Sequence, residues 1–225
     1  MIFYDYYADV PPELVDAFVG ECELGRLVTA SAGGLPHIGL YPFVYERPTI
    51  ALHANRADEL LADLATNPRC LFEVDDVLGV IPSHWVHPED AVMATAYHRT
   101  VVFECTATVS ADPDALAAQQ MHLLARYQPE GGFRPVTPEH PHYRGAIATI
   151  RAIRLAIQDT RVKFKLAQNR TPQVRANIIR ELRRRGRRND ARAADLLAWT
   201  IEHEAGKLSA VSRAPQAQIQ TRRDP

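Results

Sequence analysis

Apolar residues recur along this chain with two periods, and the switches between them mark its elements. Pro11-Pro12-Glu13-Leu14-Val15-Asp16-Ala17-Phe18-Val19 opens on proline and puts Leu14, Val15 and Phe18 on one face, which predicts a helix. Gly25–Ala30 and Pro36–Val44 read as strands around Ser31-Ala32-Gly33-Gly34, a hairpin signal, and Thr49–Ala54 supplies a third strand. Asp58–Leu64 is a short amphipathic helix, stopped by Asn67-Pro68 before a strand over Arg69–Val74. Two more strands are predicted over Val77–Ile81 and Thr100–Val109, the second alternating through Val101, Phe103, Cys105, Ala107 and Val109.

Asp112-Pro113-Asp114 caps a helix that runs through Tyr127. From Gln128 to Tyr143 four prolines and little periodicity predict a long, lid-like loop. Ala146–Gln158 returns to alternation, Lys163–Asn169 is strand-like, Thr171-Pro172-Gln173 begins a helix through Arg185, and Ala191–His203 forms another. Strands crowd the middle and helices sit at the edges, so the expected class is mainly β with α additions, a barrel rather than a parallel βαβ sheet. The expected division is a barrel domain with inserted helices over 1–170, a helical extension over 171–205 and a disordered tail over 206–225.

With 225 residues, 46% apolar and 24% charged, the chain is long enough for one large or two small domains. No apolar run approaches the roughly 20 residues of a membrane span. The start, Met1-Ile2-Phe3-Tyr4-Asp5, lacks the basic and apolar stretches of a signal peptide, so a cytoplasmic location is expected. Cys22, Cys70 and Cys105 form no C-x-x-C pair, which argues against a disulfide framework or a cysteine zinc site.

Charge changes the picture more. Residues 1–150 hold 8 Arg, no Lys and 20 Asp/Glu, a balance of −12, while 151–225 balance at +11. The two parts attract each other, within or between subunits. The run Arg183-Arg184-Arg185-Gly186-Arg187-Arg188 closes a helix-like stretch where cations complement the dipole, and a solvated face accounts for it better than nucleic-acid contact.

There is no G-x-G-x-x-G, P-loop, H-E-x-x-H or G-x-S-x-G, so chemistry rests on less generic groups. Nine histidines are the main resource. His53 falls where an apolar strand ends and a polar turn begins, a place that sites favour. Pro82-Ser83-His84-Trp85 sets an imidazole beside a flat aromatic that suits a planar cofactor; the competing account has Trp85 in the core and His84 in water. His140-Pro141-His142 reaches over a pocket or is simply solvated. Lys163 and Lys165, the only lysines before residue 207, share one face at period two. With Gln168 and Asn169 they suit a phosphate or carboxylate, or else protect an edge strand.

Read together, Gly25-Arg26-Leu27-Val28-Thr29, Gly34-Leu35-Pro36, Tyr41-Pro42-Phe43, Leu52-His53-Ala54-Asn55, Pro82-Ser83-His84-Trp85 and Lys163-Phe164-Lys165-Leu166-Ala167-Gln168-Asn169 resemble the PaiB family of FMN-binding split-barrel proteins, often labelled transcriptional regulators. The last stretch is the most specific, being similar to K-W-K-L-S-Q-N. The resemblance implies a six-stranded Greek-key barrel, a homodimer and a planar cofactor at the subunit interface. Two stretches depart from the family pattern. Its H-x-A-R-A-N-P-x-W stands here as His53-Ala54-Asn55-Arg56-Ala57-Asp58-Glu59-Leu60, and its V-P-T-W-N-Y as Met93-Ala94-Thr95-Ala96-Tyr97-His98.

With those departures the chain is more similar to a related branch, the haem-dependent piperazate synthases, which close delta-N-hydroxy-L-ornithine into L-piperazate for nonribosomal peptides. That resemblance implies heme b, with FMN as the alternative cofactor, and a small amino-acid substrate. It implies His53 or His84 as the axial metal ligand, with Arg56, Trp85, Gln168 and Asn169 at the cofactor. Lys163 or Lys165 pairs with a haem propionate or the substrate carboxylate, and His98 or Tyr97 transfers protons. The parent pattern implies instead an FMN-binding negative regulator with a nucleic-acid partner. Haem storage or breakdown on the same barrel is a third expectation.

Overall fold

The computed structural model describes the backbone of residues 1–213 and side chains through Glu204. Seven strands form one sheet: β1 (Leu24–Ala30), β2 (Pro36–Pro42), β3 (Val44–Glu46), β4 (Thr49–Asn55), β5 (Arg69–Ile81), β6 (Thr95–Ser110) and β7 (Ile150–Lys165). Their order is β2-β1-β5-β6-β7-β4-β3, so β2 and β3 are edges and hydrogen bonding does not close the sheet into a ring. The helices are α1 (Asp5–Ala8), α2 (Pro12–Glu21), α3 (Glu59–Thr66), α4 (Pro113–Tyr127), α5 (Pro141–Ala148), α6 (Pro172–Arg185) and α7 (Asp190–Arg213). This is the expected split-barrel class, with seven strands in place of six. None of the described helices is long and apolar enough to cross a membrane.

The chain divides into two compact units, Met1–Asp76 with Arg99–Phe164, and Val77–His98 with Lys165 onward. In the first, β1 and β2 pair from Leu24↔Pro42 to Ala30↔Pro36, and β4 pairs with β7 from Thr49↔Ala156 to Asn55↔Ile150. Strand alternation turns Ile50, Leu52 and Ala54 of β4 inward. They join Leu27, Phe43, Phe72, Val101, Phe103, Ile153 and Leu155 in the core. Gly25 lies so close to the buried Phe72 ring that a Cβ there would come within 2.2 Å of it.

In the second unit, α6 is capped by Thr171, whose hydroxyl accepts from the Val174 amide, and ends at Gly186 with φ of 65°. Ile178 and Leu182 of α6 and Ala193, Ala194 and Leu197 of α7 are buried. The arginine run is not uniformly solvated. Arg185 folds inward onto the buried Asp190, at 2.8 and 2.6 Å, while the Arg183 and Arg184 side chains are 61% and 73% exposed.

Several boundaries differ from expectation. The two strands expected over 69–81 are one, because the break at Asp75-Asp76 finds partners within the fold, Arg26 pairing with Asp75 and Arg99 with Asp76 at 3.0 Å. The single strand expected over Pro36–Val44 divides at Phe43. The expected loop ends in α5, opened by Pro141 and capped by His140, so the strand expected from Ala146 begins at Ile150. It then runs unbroken through Lys165. Residues 214–225 of the expected tail lie outside the described residues, α7 being described to Arg213.

Candidate functional site

The site grows from β4. Its period-two alternation, which buries Leu52 and Ala54, leaves His53 on the opposite face. Helix α4 packs there. Asp112 caps it by accepting from the Asp114 and Ala115 amides, and Leu116, Gln120, Leu123 and Tyr127 recur at helical spacing along one stripe. The helix is tied to β4 by Gln119, whose side-chain amide donates to the Leu52 carbonyl, one residue before His53. At its far end the Tyr127 hydroxyl has three backbone partners. It lies 2.6 Å from the Glu23 carbonyl and 2.9 Å from that of Phe43, and accepts from the Phe43 amide at 3.1 Å.

Between these elements is an open cavity of about 380 Å³. Leu24, Pro42, Leu123, Leu124 and the Tyr127 ring give it an apolar wall, and Glu23, His53 and Gln120 are its polar members. Two atoms stand out: His53 Nδ1 and Gln120 Nε2 are buried and have no hydrogen-bond partner. Burial disfavours the charged imidazole and lowers the His53 pKa, so the ring is neutral near pH 7. A neutral imidazole keeps one nitrogen lone pair and is the form that ligates a metal.

A second cavity in the same unit, of about 410 Å³, is lined by Thr29, Asn67, Arg69, Cys70, Glu104 and Cys105 among others. Burial pushes both thiols up to about 12, so neither is a thiolate at neutral pH.

The remaining residues singled out in the sequence divide between the two units. In the first, Arg56 is exposed at the turn after β4, and Lys163 donates to the Ile2 carbonyl at 2.8 Å, 5.9 Å from the Tyr7 ring. In the second, Trp85 is buried, with the Arg185 guanidinium 4.7 Å over one ring face and its carbonyl accepting from Asn177 at 2.6 Å. His84 is exposed and edge-on to Trp85. Lys165 donates to the Thr95 hydroxyl at 2.6 Å, Tyr97 is buried and His98 half-buried. Gln168 folds back to accept from the Leu166 amide at 2.8 Å, across Ala167 at φ of 64°, and Asn169 is exposed.

The structure therefore surrounds His53 with residues the sequence did not single out: Glu23, Leu24, Gln120, Leu123 and Leu124. Their one signal was Gln120, an amide on a stripe of leucines. Among the described residues no group of three or more His, Cys, Asp or Glu is placed to hold a metal ion.

An open antiparallel sheet with a cavity on its helix-covered face defines a split-barrel protein. Residues 1–159 match the family described as "Putative FMN-binding domain", and the chain belongs to that family. No curated protein matches it. Among solved structures it is similar to the flavocytochrome Anf3 of Azotobacter vinelandii, with TM-score 0.60 and 18% identity over 73% of this chain and 72% of that one. It is similar also to the FAD and haem binding protein of Mycobacterium smegmatis, with TM-score 0.57 and 18% identity over 69% and 71%. A conserved hypothetical protein of Mycobacterium tuberculosis follows, with TM-score 0.52 and 18% identity over 72% and 89%. At these identities the likeness is one of fold.

Proposed function

We propose that this chain is a haem-dependent cyclase that converts delta-N-hydroxy-L-ornithine to L-piperazate with loss of water, acting as a homodimer. The observation that carries the reading is His53, a neutral imidazole with a buried, unpartnered nitrogen on an apolar cavity. A porphyrin brings four nitrogens of its own, so one such imidazole suffices to hold its iron, and the leucines around it offer the macrocycle an apolar surface. The phosphate of a flavin, like the propionates of a haem, would have to lie outside this lining, whose charged residue is Glu23, so it is the imidazole that favours a porphyrin. That a structural neighbour is described as binding FAD and haem also supports a porphyrin on this fold.

When bound, ferric haem supplies a Lewis acid that polarises the N–O bond of a hydroxylamine. The chain's own residues do the rest. Leu123 and Leu124 give the reacting end an apolar wall, and His53 would hold the cofactor. Folding the substrate brings its two nitrogens together, a contribution that reaches about 7–11 kcal/mol in favourable intramolecular reactions. The N–N bond forms as the N–O bond breaks, and the hydroxyl leaves as water with a proton from the α-nitrogen, so no outside oxidant or reductant enters. The sequence resemblance assigns that proton to Tyr97 or His98, and the carboxylate contact to Lys163 or Lys165.

The test is optical and then chemical. Protein reconstituted with haemin should be red-brown with a Soret band, and His53→Ala should lose most of the bound haem while keeping its circular dichroism. Incubation with the hydroxylated ornithine should give a product lighter by one water. A yellow protein with a flavin spectrum and no haem uptake overturns the reading in favour of an FMN protein, and a monomer on light scattering overturns the homodimer.

A further inference from the structure

The cavity of about 410 Å³ shares no lining residue with the one that holds His53, and the proposed function leaves it unused. Strand pairing arranges its charges. The Ala107 amide donates to the Pro68 carbonyl at 2.8 Å, which puts Thr106 of β6 opposite Arg69 of β5 and Glu104 opposite Leu71. Arg69 and Glu104 are therefore diagonal neighbours, about 7 Å apart and within reach of each other's long side chains. They do not pair. Among the described residues the Arg69 side chain has no acidic partner, and Glu104 gives one oxygen to Arg161 at 3.5 Å and leaves the other without one.

Two amide side chains at this cavity have their orientation fixed by the backbone. The Arg69 amide donates to Asn67 Oδ1 at 3.1 Å, so Asn67 Nδ2 remains as a donor. Gln158 Nε2 donates to the Ala156 carbonyl at 3.2 Å, so Gln158 Oε1 remains as an acceptor. Donors, Asn67 and Arg69, thus gather at the start of β5, and acceptors, Glu104 and Gln158, on β6 and β7. Asn67, Arg69 and Gln158 are exposed and Glu104 is half-buried, so a solute reaches all four. Val28 and Leu71, paired across β1 and β5, supply an apolar wall.

We infer that this cavity is a second ligand site and takes a small aliphatic α-amino acid as its zwitterion. The carboxylate accepts from the Arg69 guanidinium and Asn67 Nδ2, the ammonium donates to Glu104 and Gln158 Oε1, and the side chain lies on Val28 and Leu71. An α-amino acid carries its two charges on one carbon, which suits a cation and an anion one diagonal step apart. An anion alone would be repelled by Glu104, and a cation alone by Arg69. The volume is that of a small-molecule site. The inference rests on this cavity and not on the proposed function.

Calorimetry on haem-free protein tests it with L-leucine, with N-acetyl-L-leucine, which lacks the ammonium, and with L-leucinamide, which lacks the carboxylate. The wild type should bind leucine about tenfold more tightly than either, equivalent to about 1.4 kcal/mol. Arg69→Gln should bring leucine to within twofold of leucinamide, and Glu104→Gln should bring it to within twofold of N-acetyl-leucine. Circular dichroism confirms folding, and if one variant does not fold the other gives the answer. A wild type that binds the three alike, or binds none, overturns the inference. So does a variant that keeps full leucine affinity or weakens all three equally, since the charges then do not read the ligand. These samples contain no haem, so failure here leaves the cofactor reading standing, and a missing Soret band in the haemin experiment leaves this site standing.

Discussion

Arg185 stacks on Trp85, its guanidinium carbon 4.7 Å from the ring centroid, while its nitrogens hold the carboxylate of Asp190. The carboxylate is 1% exposed and also accepts from the Arg187 amide at 2.8 Å. One arginine thus links the 3-10 turn at Ser83–Trp85, the end of α6 and the start of α7. Removing one partner of such a pair strands a buried charge, which typically costs at least about 3 kcal/mol. Arg185→Ala should lower stability by about that amount in urea unfolding. Arg185→Lys should recover less than half of it, because an ammonium can neither bridge both carboxylate oxygens nor stack flat on the indole. Arg184→Ala, on an exposed side chain paired with Glu181, should change stability by less than about 1 kcal/mol.

A second buried carboxylate makes the fold acid-sensitive. Asp63 accepts from the Thr29 hydroxyl at 2.6 Å and sits 2.7 Å from His37 Nδ1. The Thr29 hydrogen bond, followed by the contact with His37, lowers its pKa. A carboxyl with a depressed folded-state pKa contributes stability that is present above its unfolded value, near 3.8, and lost as pH falls through the folded value. Thr29→Val removes the larger cause and should move the acid-unfolding midpoint, followed by circular dichroism, to higher pH. A midpoint that stays in place would show that Asp63 is not what resists acid.

His53 acts in the same direction through a different cause. Burial lowers its pKa, so the folded protein binds this proton less readily than the unfolded chain, whose histidine titrates near 6.5. Stability should therefore fall as pH drops below about 6.5, until the folded-state value is passed. In haem-free protein, His53→Gln should remove that part of the slope: the loss in urea midpoint between pH 7.5 and 5.5 should be smaller in the variant than in the wild type. Equal losses would mean that His53 is hydrated and not held neutral by the cavity.

How far the sequence revealed these features depended on whether the signal was local. Asp112-Pro113 and Thr171-Pro172 mark helix starts because a cap and a fixed φ act within one turn, and Gly186 marks a stop for the same reason. Strand lengths were less legible. Whether β5 ends at Val74 or Ile81 depends on whether Asp75 and Asp76 find partners, which Arg26 and Arg99 supply only in the fold, and Ala146–Gln158 alternates although its first three residues finish a helix. At the site, His53 was legible as the end of an apolar strand. Gln120 and Glu23 were not, because a polar residue on a leucine stripe acquires meaning only once α4 lies across β4. Arg185 looked like part of a solvated run for a similar reason, since Trp85 reaches it only through the tertiary fold and Asp190 only once the chain turns at Gly186.

Ala167 tests whether the lysine-containing motif stores strain. It is 2% exposed and holds φ of 64°, the left-handed region, inside the turn where Gln168 folds back onto the Leu166 amide. An L-residue there costs about 1–2 kcal/mol relative to a right-handed conformation, a cost glycine escapes. Against that gain, Ala167→Gly loses a buried methyl, about 0.8 kcal/mol, and loosens the unfolded chain by about 0.4–1 kcal/mol. The terms nearly cancel, so the substitution should be neutral to within about 1 kcal/mol. Ala194 is the control: equally buried, but in ordinary helix α7, where glycine loses helix propensity as well as the methyl, together about 2 kcal/mol. Ala167→Val should be worse than either, because a β-branched side chain is poorly tolerated at positive φ. If Ala167→Gly and Ala194→Gly lower the urea midpoint equally, the turn is unstrained and the motif is held by packing alone.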